Sequence, residues 1–276
     1  MKENYNNLSH TTSKERMKSG IVNNFNPQRT MLVDGDILAF MCSHQMEEAI
    51  KWDDDTWTLH ASEKKSIDRL SDTLTYYSEI LLCKDVVIAL SSKTNFRKKI
   101  YPLYKYNRKN QRKPLTYGPL RNWMRKNFTT YEYDYLEGDD VLGILATSDL
   151  IKGDKVILTK DKDLKTVPST IWFMQGDDYT IIDEDEANYN HMLQCLQGDT
   201  VDGFSGCPSV GKITAEKILK PHKGNYKAMW DAVVNRYKMN NLDKKFALLQ
   251  ARLSRITRAT DYNFKRKRPV LWTPPR

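Results

Sequence analysis

The sequence lacks the long apolar segments that a membrane protein or a secreted precursor needs. No run of 18 apolar residues occurs anywhere in the 276 residues, so we expect no transmembrane helix. The first 29 residues are polar and lack the apolar centre of a signal peptide. We therefore expect a soluble protein of the cytoplasm that has no membrane partner.

The chain is also poor in cysteine. Its four cysteines form no Cys-x-x-Cys pair, and no histidine stands at the spacing of a zinc finger. We therefore predict neither a disulfide framework nor a structural zinc site.

Acidic residues are missing from one long segment, residues 93–126, which we call the basic arm. The arm holds 12 of the 44 Lys and Arg residues and no Asp or Glu, so it accounts for the net charge of +9. Such a segment attracts a polyanion, and nucleic acid is the first candidate. Aromatic residues are interleaved with the cations, as in proteins that stack rings on unpaired bases. The alternative is a solvated surface with ordinary aromatic anchors, and it holds in part for residues 119–128, whose apolar side chains share one helical face.

Short β-branched runs alternate with helical patterns from Thr30 onward, which is typical of an α/β fold with a mostly parallel sheet and flanking helices. Strands are predicted at 31–33, 86–90, 155–158 and 171–174. After Glu184 we expect no further strands, and helices at 187–196, 213–220, 226–237 and 243–256. The predicted organisation is a polar extension over 1–29, an α/β domain over 30–186 and a helical region over 187–276.

Nine carboxylates are concentrated in four short motifs, two of which directly follow predicted strands. Ligands bind beyond the carboxyl ends of parallel strands, so these acids stand where chemistry usually occurs. Singly, each motif is explained by a helix cap or a turn. Together they would repel one another unless divalent cations lay among them, and oxygen ligands without His or Cys select Mg²⁺ or Mn²⁺. The nine are Asp34, Asp36, Glu137, Asp139, Asp140, Asp161, Asp163, Asp199 and Asp202.

A glycine-rich turn over residues 203–211 leads into a predicted helix. Its backbone amides and the start of that helix could hold a phosphate. A turn without any ligand is the alternative, although Asp199 and Asp202 stand directly before it.

The order of these motifs resembles the flap endonuclease and 5′→3′ exonuclease superfamily, and within it the podovirus-type phage exonucleases. The resemblance rests on Asp34-Gly35-Asp36, the basic arm, Leu136-Glu137-Gly138-Asp139-Asp140, Asp161-Lys162-Asp163 and the glycine turn, and it extends from about residue 30 to the C terminus. It implies a PIN-like catalytic domain, a helical arch formed by the basic arm, and a helix-hairpin-helix element that holds DNA.

The resemblance also implies roles for individual residues. The nine carboxylates would surround two Mg²⁺ or Mn²⁺ ions, Lys105 and Arg108 would contact the scissile phosphate, and Tyr104 would stack on a terminal base. A monovalent cation could bind at the hairpin. The residues predicted to bind DNA are Arg97, Lys98, Lys99, Tyr104, Lys109, Arg112, Lys113, Arg121, Arg125, Gly206, Val210, Gly211 and Lys212.

Two residues depart from the family pattern. Ser92 stands after the second predicted strand, where the family usually has an Asp. Ser209 stands in the hairpin, where the family favours a second Gly. The first departure removes a carboxylate expected at one metal site. The second removes a glycine from the turn that would bind an ion through its carbonyl oxygens.

The resulting prediction is a monomeric, metal-dependent 5′→3′ exonuclease that acts on duplex DNA ends in phage DNA replication or degradation, in the host cytoplasm. Flap cutting and RNase H-like action on RNA–DNA hybrids are part of it. Two alternatives stay open at this point: a PIN-type RNase, and a non-catalytic protein that binds DNA junctions or single strands.

Overall fold

The computed structural model of the protein describes residues 29–176 and 178–276, which form strands and helices in alternation. The strands are β1 (Thr30–Asp34), β2 (Glu47–Lys51), β3 (Trp57–Ala61), β4 (Asp85–Ala89), β5 (Thr129–Tyr131), β6 (Lys155–Thr159), β7 (Ser169–Phe173), β8 (Asp178–Ile182), β9 (Tyr262–Asn263) and β10 (Arg268–Pro269). The α-helices are α1 (Gly35–Gln45), α2 (Glu63–Ile80), α3 (Phe96–Ile100), α4 (Tyr117–Asn127), α5 (Gly138–Thr147), α6 (Glu184–Gln197), α7 (Lys212–Leu219), α8 (Tyr226–Met239) and α9 (Lys244–Ser254).

A central sheet has the strand order β5-β4-β1-β6-β7-β8, in which only β8 runs antiparallel to its neighbour. The predicted α/β class and the four predicted strands are confirmed. In the register, Asp34 pairs with Ala89 and Val33 with Leu158, so β1, β4 and β6 end at the same edge of the sheet. That edge carries the acidic motifs.

The two faces of the sheet bury different helices because side chains alternate along a strand. Leu32 of β1 faces a core that includes α5, whereas Met31 and Val33 face a core formed with α1, α2 and α4. All three side chains are fully buried. Burial on both faces explains why β1 is a continuous apolar run rather than an alternating one.

Several strands lie outside the predictions. The β2–β3 hairpin is exposed, and the edge strands β5 and β8 are partly polar, so none of them carries the apolar run that marks a buried strand. Strands also occur after Glu184, because β9 and β10 form a two-residue antiparallel pair. The expectation that strands end at Glu184 is therefore wrong.

The C-terminal region contains α6 to α9 around a third core that includes Trp230, Tyr237 and Trp272. The four predicted helices are confirmed, with small shifts in their ends. The boundary predicted after residue 186 falls inside α6, which begins at Glu184 and is capped by the side chain of Asp183. Ile256 and Tyr262 pack in the core of the α/β domain, so the two regions share an apolar interface.

The predicted extension ends one residue too late. Arg29 is buried, and its guanidinium bonds the Asp154 carboxylate at 2.6 Å and the Leu81 carbonyl oxygen at 3.3 Å. Arg29 therefore belongs to the fold, and residues 1–28 of that prediction lie outside the described residues. No helix of the described chain is long and apolar enough to cross a membrane.

The basic arm is less helical than an arch would be. It contains the five-residue helix α3, a 3₁₀ turn at Tyr106–Arg108 and the helix α4, which are joined by irregular chain. The apolar stripe predicted for its last part is confirmed, since Leu120 and Met124 are fully buried.

Candidate metal centre and nucleic-acid interface

Carboxylates from four parts of the chain converge at the common edge of β1, β4 and β6. Asp34 ends β1, Asp139 lies in the first turn of α5, and Asp161 and Asp163 follow β6. Asp202, in the turn after α6, acts electrostatically on Asp161 and Asp163. The structure therefore brings carboxylates of all four acidic motifs close together.

Burial and mutual repulsion oppose ionisation of this cluster. Desolvation, followed by the charges of Asp36 and Asp161, raises the pKa of Asp34 to about 7. Desolvation and the charges of Asp161, Asp199 and Asp202 likewise raise the pKa of Asp163 to about 7. The pKa values of Asp139 and Asp161 are raised for the same reason. Positive charge placed here would relieve the repulsion.

The donor set fits a hard divalent cation, because it consists of carboxylate oxygens. No group of three or more His, Cys, Asp or Glu side chains in the described chain could hold an ion by itself. Mg²⁺ tolerates this, since it keeps several waters and is usually bound by one or two carboxylates together with substrate phosphates. Two carboxylates for each ion are therefore sufficient for a Mg²⁺ site.

Two residues that the sequence did not single out hold these acids in place. The Thr159 hydroxyl donates to Asp34 Oδ2 at 3.1 Å, and Gln194 of α6 lies beside Asp163, where it partly offsets the rise in the pKa of that carboxyl. Thr159 could have been found from its position at the end of β6, beside the acidic motif. Gln194 carries no such signal, because only the packing of α6 against the 3₁₀ turn at Lys162–Thr166 brings it to the site.

Asp36 is a correction to the predicted metal ligands. Its carboxylate accepts hydrogen bonds from the Ser91 amide at 2.6 Å and the Tyr117 hydroxyl at 2.8 Å. It also lies 3.1 Å from Nε of Arg121. These contacts use Asp36 to attach α4 to the sheet edge, and Arg121, predicted to bind DNA, is turned inward to the same carboxylate.

Asp140 and Arg97 are also corrections, because they form a buried ion pair. Both terminal guanidinium nitrogens of Arg97 donate to Asp140 oxygens at 2.7 Å, and Asp140 accepts further bonds from the amides of Thr257 and Glu137. Asp140 is fully buried and Arg97 is 3% exposed. Asp140 therefore has no lone pair left for a metal ion, and Arg97 cannot reach a DNA phosphate.

The basic arm docks on the remaining carboxylates through Lys105 and Arg108. Lys105 Nζ lies 2.6 Å from Glu137 Oε1 and 3.4 Å from Asp202 Oδ2. Arg108 lies 2.8 Å from Asp202 Oδ1. Burial opposes ionisation of Glu137, yet Lys105 and Arg97 hold its pKa down at about 2. In this arrangement the predicted catalytic cations neutralise carboxylates.

Tyr104 does not present its ring to a base. The side chain is buried, and its hydroxyl lies 2.9 Å from both Glu137 Oε2 and Asp202 Oδ2, so the two carboxylates share its single proton. Its ring packs with Phe204 and Leu253. The predicted stacking of Tyr104 on a terminal base is therefore contradicted by this conformation, and the residue instead links the arm to the acidic cluster.

The other predicted DNA contacts of the arm fall into two groups. Arg112 pairs with Glu47 at 2.6 Å and Arg125 pairs with Glu132 at 2.7 Å, so part of their charge is neutralised within the protein. The second group is exposed, and no ion pair joins it to a carboxylate of the described chain. It consists of Lys98, Lys99, Lys109 and Lys113.

The glycine turn is held by close backbone contact. A Cβ on Gly198 would lie 2.3 Å from the Ser205 carbonyl carbon, and one on Gly206 would lie 2.2 Å from the Gly198 amide nitrogen, and both glycines have positive φ. The Gly206 amide already donates to Gln250 at 2.9 Å. The Gly206 amide is therefore not available to a phosphate as predicted, and neither is the amide of Val210, which donates to the Cys207 carbonyl oxygen at 3.2 Å.

Gly211 and Lys212, at the start of α7, keep the predicted position for DNA contact. Both are exposed, and nothing lies within 4 Å of a Cβ placed on Gly211. Asp199 has a structural role as well, because its Oδ1 accepts from the amides of Val201 and Asp202 and closes the turn. Ser209 adopts a left-handed φ of 58°, the conformation that explains glycine in the family pattern.

Ser92, the position where the family has an acid, caps a local turn. Its Oγ accepts from the Thr94 amide at 3.1 Å. The preceding residue, Ser91, lies closer to the acids, since its amide binds Asp36 and its hydroxyl accepts from the Gly138 amide at 2.8 Å. A serine amide and hydroxyl therefore connect β4 to the first turn of α5.

Comparison with known proteins agrees with this geometry. Residues 29–191 match the model of the 5′-3′ exonuclease family, N-terminal resolvase-like domain. The chain belongs to the 5′-3′ exonuclease family. The predicted superfamily resemblance is confirmed, and the protein is an enzyme of the nuclease class.

Relatives of this 5′-3′ exonuclease family member include two phage proteins. The exodeoxyribonuclease of Enterobacteria phage T3 is 28% identical over 280 residues, covering 88% of this chain and 92% of that protein. The exonuclease of Escherichia phage T7 is 27% identical and covers 88% of this chain and 93% of that protein. Nearly full-length similarity means that the helical region is shared as well.

Solved structures show the same fold. The T5 D15 protein crystallised with metal ions has a TM-score of 0.61 at 15% identity, covering 84% of this chain and 90% of that one. The T5 D15 flap endonuclease, in a pseudo-enzyme–product complex with DNA and metal ions, has a TM-score of 0.65 at 16% identity, with the same coverage.

The acidic cluster predicts how stability depends on pH when no divalent cation is present. Asp34 and Asp163 have folded-state pKa values of about 7, above the unfolded value of about 4, so folding favours their protonated forms. Their contribution to stability is present at low pH and is lost as pH rises from about 4 to about 7. Glu137, whose pKa is lowered to about 2, acts oppositely and loses its contribution as pH falls below about 4.5.

We therefore expect the melting temperature in EDTA to be highest near pH 4 to 5 and to fall towards pH 8. Excess Mg²⁺ should remove most of the decline, because binding to the folded state adds stability by mass action. Differential scanning fluorimetry across pH, with EDTA or Mg²⁺, measures this. A melting temperature in EDTA that rises steadily to pH 8 would contradict the electrostatics described for the cluster.

Proposed function

We propose that this member of the family is a divalent-metal-dependent nuclease that hydrolyses DNA from 5′ ends, with two Mg²⁺ or Mn²⁺ ions at the sheet edge. The observation that carries the proposal is a buried cluster of mutually repelling carboxylates beside the docked cations Lys105 and Arg108. A site of that kind has too much negative charge without cations and is next to groups that fit a phosphate.

Four carboxylates are proposed to hold the ions: Asp34, Asp139, Asp161 and Asp163. Divalent cations bound there supply Lewis-acid charge that promotes attack of water on a phosphodiester. Thr159 orients Asp34 by the hydrogen bond described above, and Gln194 lies beside Asp163. Glu137 and Asp202 hold Lys105 and Arg108 at the margin of the cluster.

Lys105 and Arg108 are proposed to exchange their carboxylate partners for the scissile phosphate. Each already lies at the boundary between the arm and the acids, and Arg108 has a partly exposed side chain. Cations placed there offset negative charge that develops on the phosphate during in-line attack, an effect worth on the order of a hundredfold in rate.

The proposed substrate is duplex DNA with a 5′ end or a flap. The name of the T3 relative, exodeoxyribonuclease, and the DNA complex of the T5 flap endonuclease support DNA as the substrate. Cleavage of RNA in RNA–DNA hybrids, a monovalent cation at the hairpin, a monomeric state and a location in the host cytoplasm stay predictions.

A 5′-recessed DNA duplex with an internal label tests the proposal. We expect the labelled strand to shorten progressively from its 5′ end in Mg²⁺, and no cleavage in EDTA. A matched single-stranded RNA serves as the control for an RNase of the PIN type. Tight binding without any cleavage in Mg²⁺ or Mn²⁺ would contradict the proposal and favour a DNA-binding protein.

Lys105→Ala and Arg108→Ala should each lower turnover about a hundredfold while changing DNA affinity much less, because the arm retains other cations for phosphates. Lys109→Ala is the matched control, since Lys109 follows Arg108 and has no carboxylate ion pair in the described chain. Single-turnover rates and binding isotherms separate the two effects. A loss confined to affinity, which added salt reproduces, would make Lys105 and Arg108 ordinary phosphate contacts.

A further inference from the structure

The C-terminal hairpin carries a concentration of positive charge far along the chain from the basic arm. Strands β9 and β10 enclose a turn that contains Phe264, Lys265, Arg266 and Lys267. The turn is ordered, because Asn263 Oδ1 accepts from the Arg266 amide at 2.8 Å and Lys267 adopts a left-handed φ of 51°. Its cations are therefore displayed on a fixed loop rather than on a loose tail.

An aromatic ladder connects this hairpin to the α/β domain. The ring of Tyr262 stacks on Tyr133 with a centroid distance of 5.1 Å and meets Phe264 edge-on at 5.1 Å. Tyr133 in turn meets Tyr131 at 6.1 Å. Tyr262 is buried, whereas Phe264 is 43% exposed, so the ladder rises from the core to the surface. A flat ring that is both supported and exposed is what base stacking requires.

The cations around the ladder are not neutralised by carboxylates. Residues 265–268 are four successive exposed cations, and no ion pair joins them to an acid in the part of the chain that the structure describes. Lys99 of α3 lies 3.9 Å from the ring centroid of Tyr135, and Arg268 lies 6.0 Å from it. Tyr135 thus joins the hairpin to the exposed lysines at the start of the basic arm.

This pattern contrasts with the centre of the arm. There Lys105, Arg108 and Arg112 are paired with carboxylates, so their charge is partly cancelled within the protein. The hairpin and Lys98 and Lys99 of α3 carry charge that no carboxylate of the described chain neutralises, next to supported rings. Counterion release favours phosphates at such a surface, and exposed rings favour unpaired bases over duplex.

We propose that the hairpin turn, Tyr135 and Lys99 form a second nucleic-acid site, which binds the single-stranded part of a substrate outside the catalytic cluster. The proposal rests on the proposed nuclease function. It extends that function by naming a subsite for unpaired strand, with cations from residues 265–268 on phosphates and Phe264 against a base.

The test compares two triple variants of the full chain. The hairpin variant is Lys265→Gln, Arg266→Gln and Lys267→Asn, in which Asn suits the left-handed position. The control variant is Lys64→Gln, Lys84→Gln and Lys152→Gln, which removes the same charge from exposed lysines elsewhere. Fluorescence anisotropy in EDTA measures affinity for a blunt duplex and for the same duplex with a single-stranded extension of roughly 15 nucleotides.

We expect the hairpin variant to lose about tenfold in affinity for the extended duplex relative to the control variant, with little change on the blunt duplex. The slope of the logarithm of the binding constant against the logarithm of salt concentration should become shallower by about 2 for the extended substrate, because three cations are lost and each contributes about 0.7. Phe264→Ala should also lose about tenfold on the extended duplex, with the salt slope unchanged. Cleavage of the blunt duplex in Mg²⁺ should match wild type.

Two results would overturn the inference. An equal loss on blunt and extended duplex would make the hairpin a general phosphate contact. No loss beyond that of the control variant would remove nucleic acid as its ligand and leave an acidic protein surface as the occupant that fits the charge. Failure of the proposed function is a separate result, because it would show as absent cleavage of blunt duplex by the wild-type protein.

Discussion

Replacing Asp161 and Asp163 together by Asn should lower cleavage at least a thousandfold while leaving the fold intact. The two carboxylates follow β6 in the buried cluster, and the substitution removes two negative charges from the proposed ion ligands. Loss of the ions removes the main electrostatic contribution to phosphodiester hydrolysis. Cleavage rates at saturating Mg²⁺, with circular dichroism to monitor folding, measure the effect.

The same substitution should make the metal-free protein more stable at pH 8. Burial, together with repulsion within the cluster, raises the pKa of Asp163 to about 7, so its ionised form at pH 8 destabilises the folded state. We expect a rise in melting temperature of a few degrees in EDTA, and a smaller response to added Mg²⁺.

Asp54→Asn with Asp55→Asn is the matched control, because it removes two charges from the exposed β2–β3 turn. Activity and Mg²⁺ response should stay at the wild-type level in that variant. If the Asp161 and Asp163 variant kept more than a few per cent of wild-type turnover, these residues would not be ion ligands.

Replacing Arg97 by Met should destabilise the protein by about 3 to 5 kcal/mol, the range for breaking one partner of a buried ion pair. The substitution leaves the fully buried carboxylate of Asp140 without its two guanidinium bonds. It also removes donors from the carbonyl oxygens of Leu253 and Arg255, which tie α3 to the end of α9. Urea denaturation measures the loss, and the slope of the unfolding free energy against urea concentration should match that of the wild type.

Lys98→Met is the control for this prediction, since Lys98 is the next residue of α3, is exposed and makes no ion pair in the described chain. Its effect on stability should stay within about 0.5 kcal/mol. Had Arg97 been a DNA contact, as its sequence context suggests, its replacement would weaken DNA binding and leave stability unchanged. That pattern of results would contradict the buried ion pair.

In its docked state the basic arm pairs its cations with carboxylates at the margin of the acidic cluster. Glu137 and Asp202 are each held by cations of the arm, whereas Asp139 lies in the cluster with a raised pKa. In the proposed function, the scissile phosphate replaces these carboxylates as the partner of Lys105 and Arg108. If that exchange occurs, the arm would couple the charge of the acidic cluster to the presence of substrate.

The sequence was sufficient for the elements whose signals are local. The buried strands β1, β4, β6 and β7 are short apolar runs, and the helices of the C-terminal region repeat apolar residues at helical spacing. Acids placed directly after β1 and β6 must reach one sheet edge, because parallel strands end there together. Exposed strands such as β2 and β3 carry no comparable pattern, since neither face is buried in the core.

By itself the sequence determined the α/β class, the position of the acidic motifs and the charge of the arm, since each follows from residue type and near-neighbour spacing. The family was indicated by the resemblance of its motifs to a known superfamily. Only the tertiary structure decided which charged side chains are neutralised by ion pairs within the protein. Arg97 forms hydrogen bonds with Asp140 and with Leu253, which are 43 and 156 residues away in the sequence. Asp36 accepts a hydrogen bond from Tyr117, which is 81 residues away. Such pairings depend on how helices pack over the sheet, and a buried charge must find a partner wherever packing brings one.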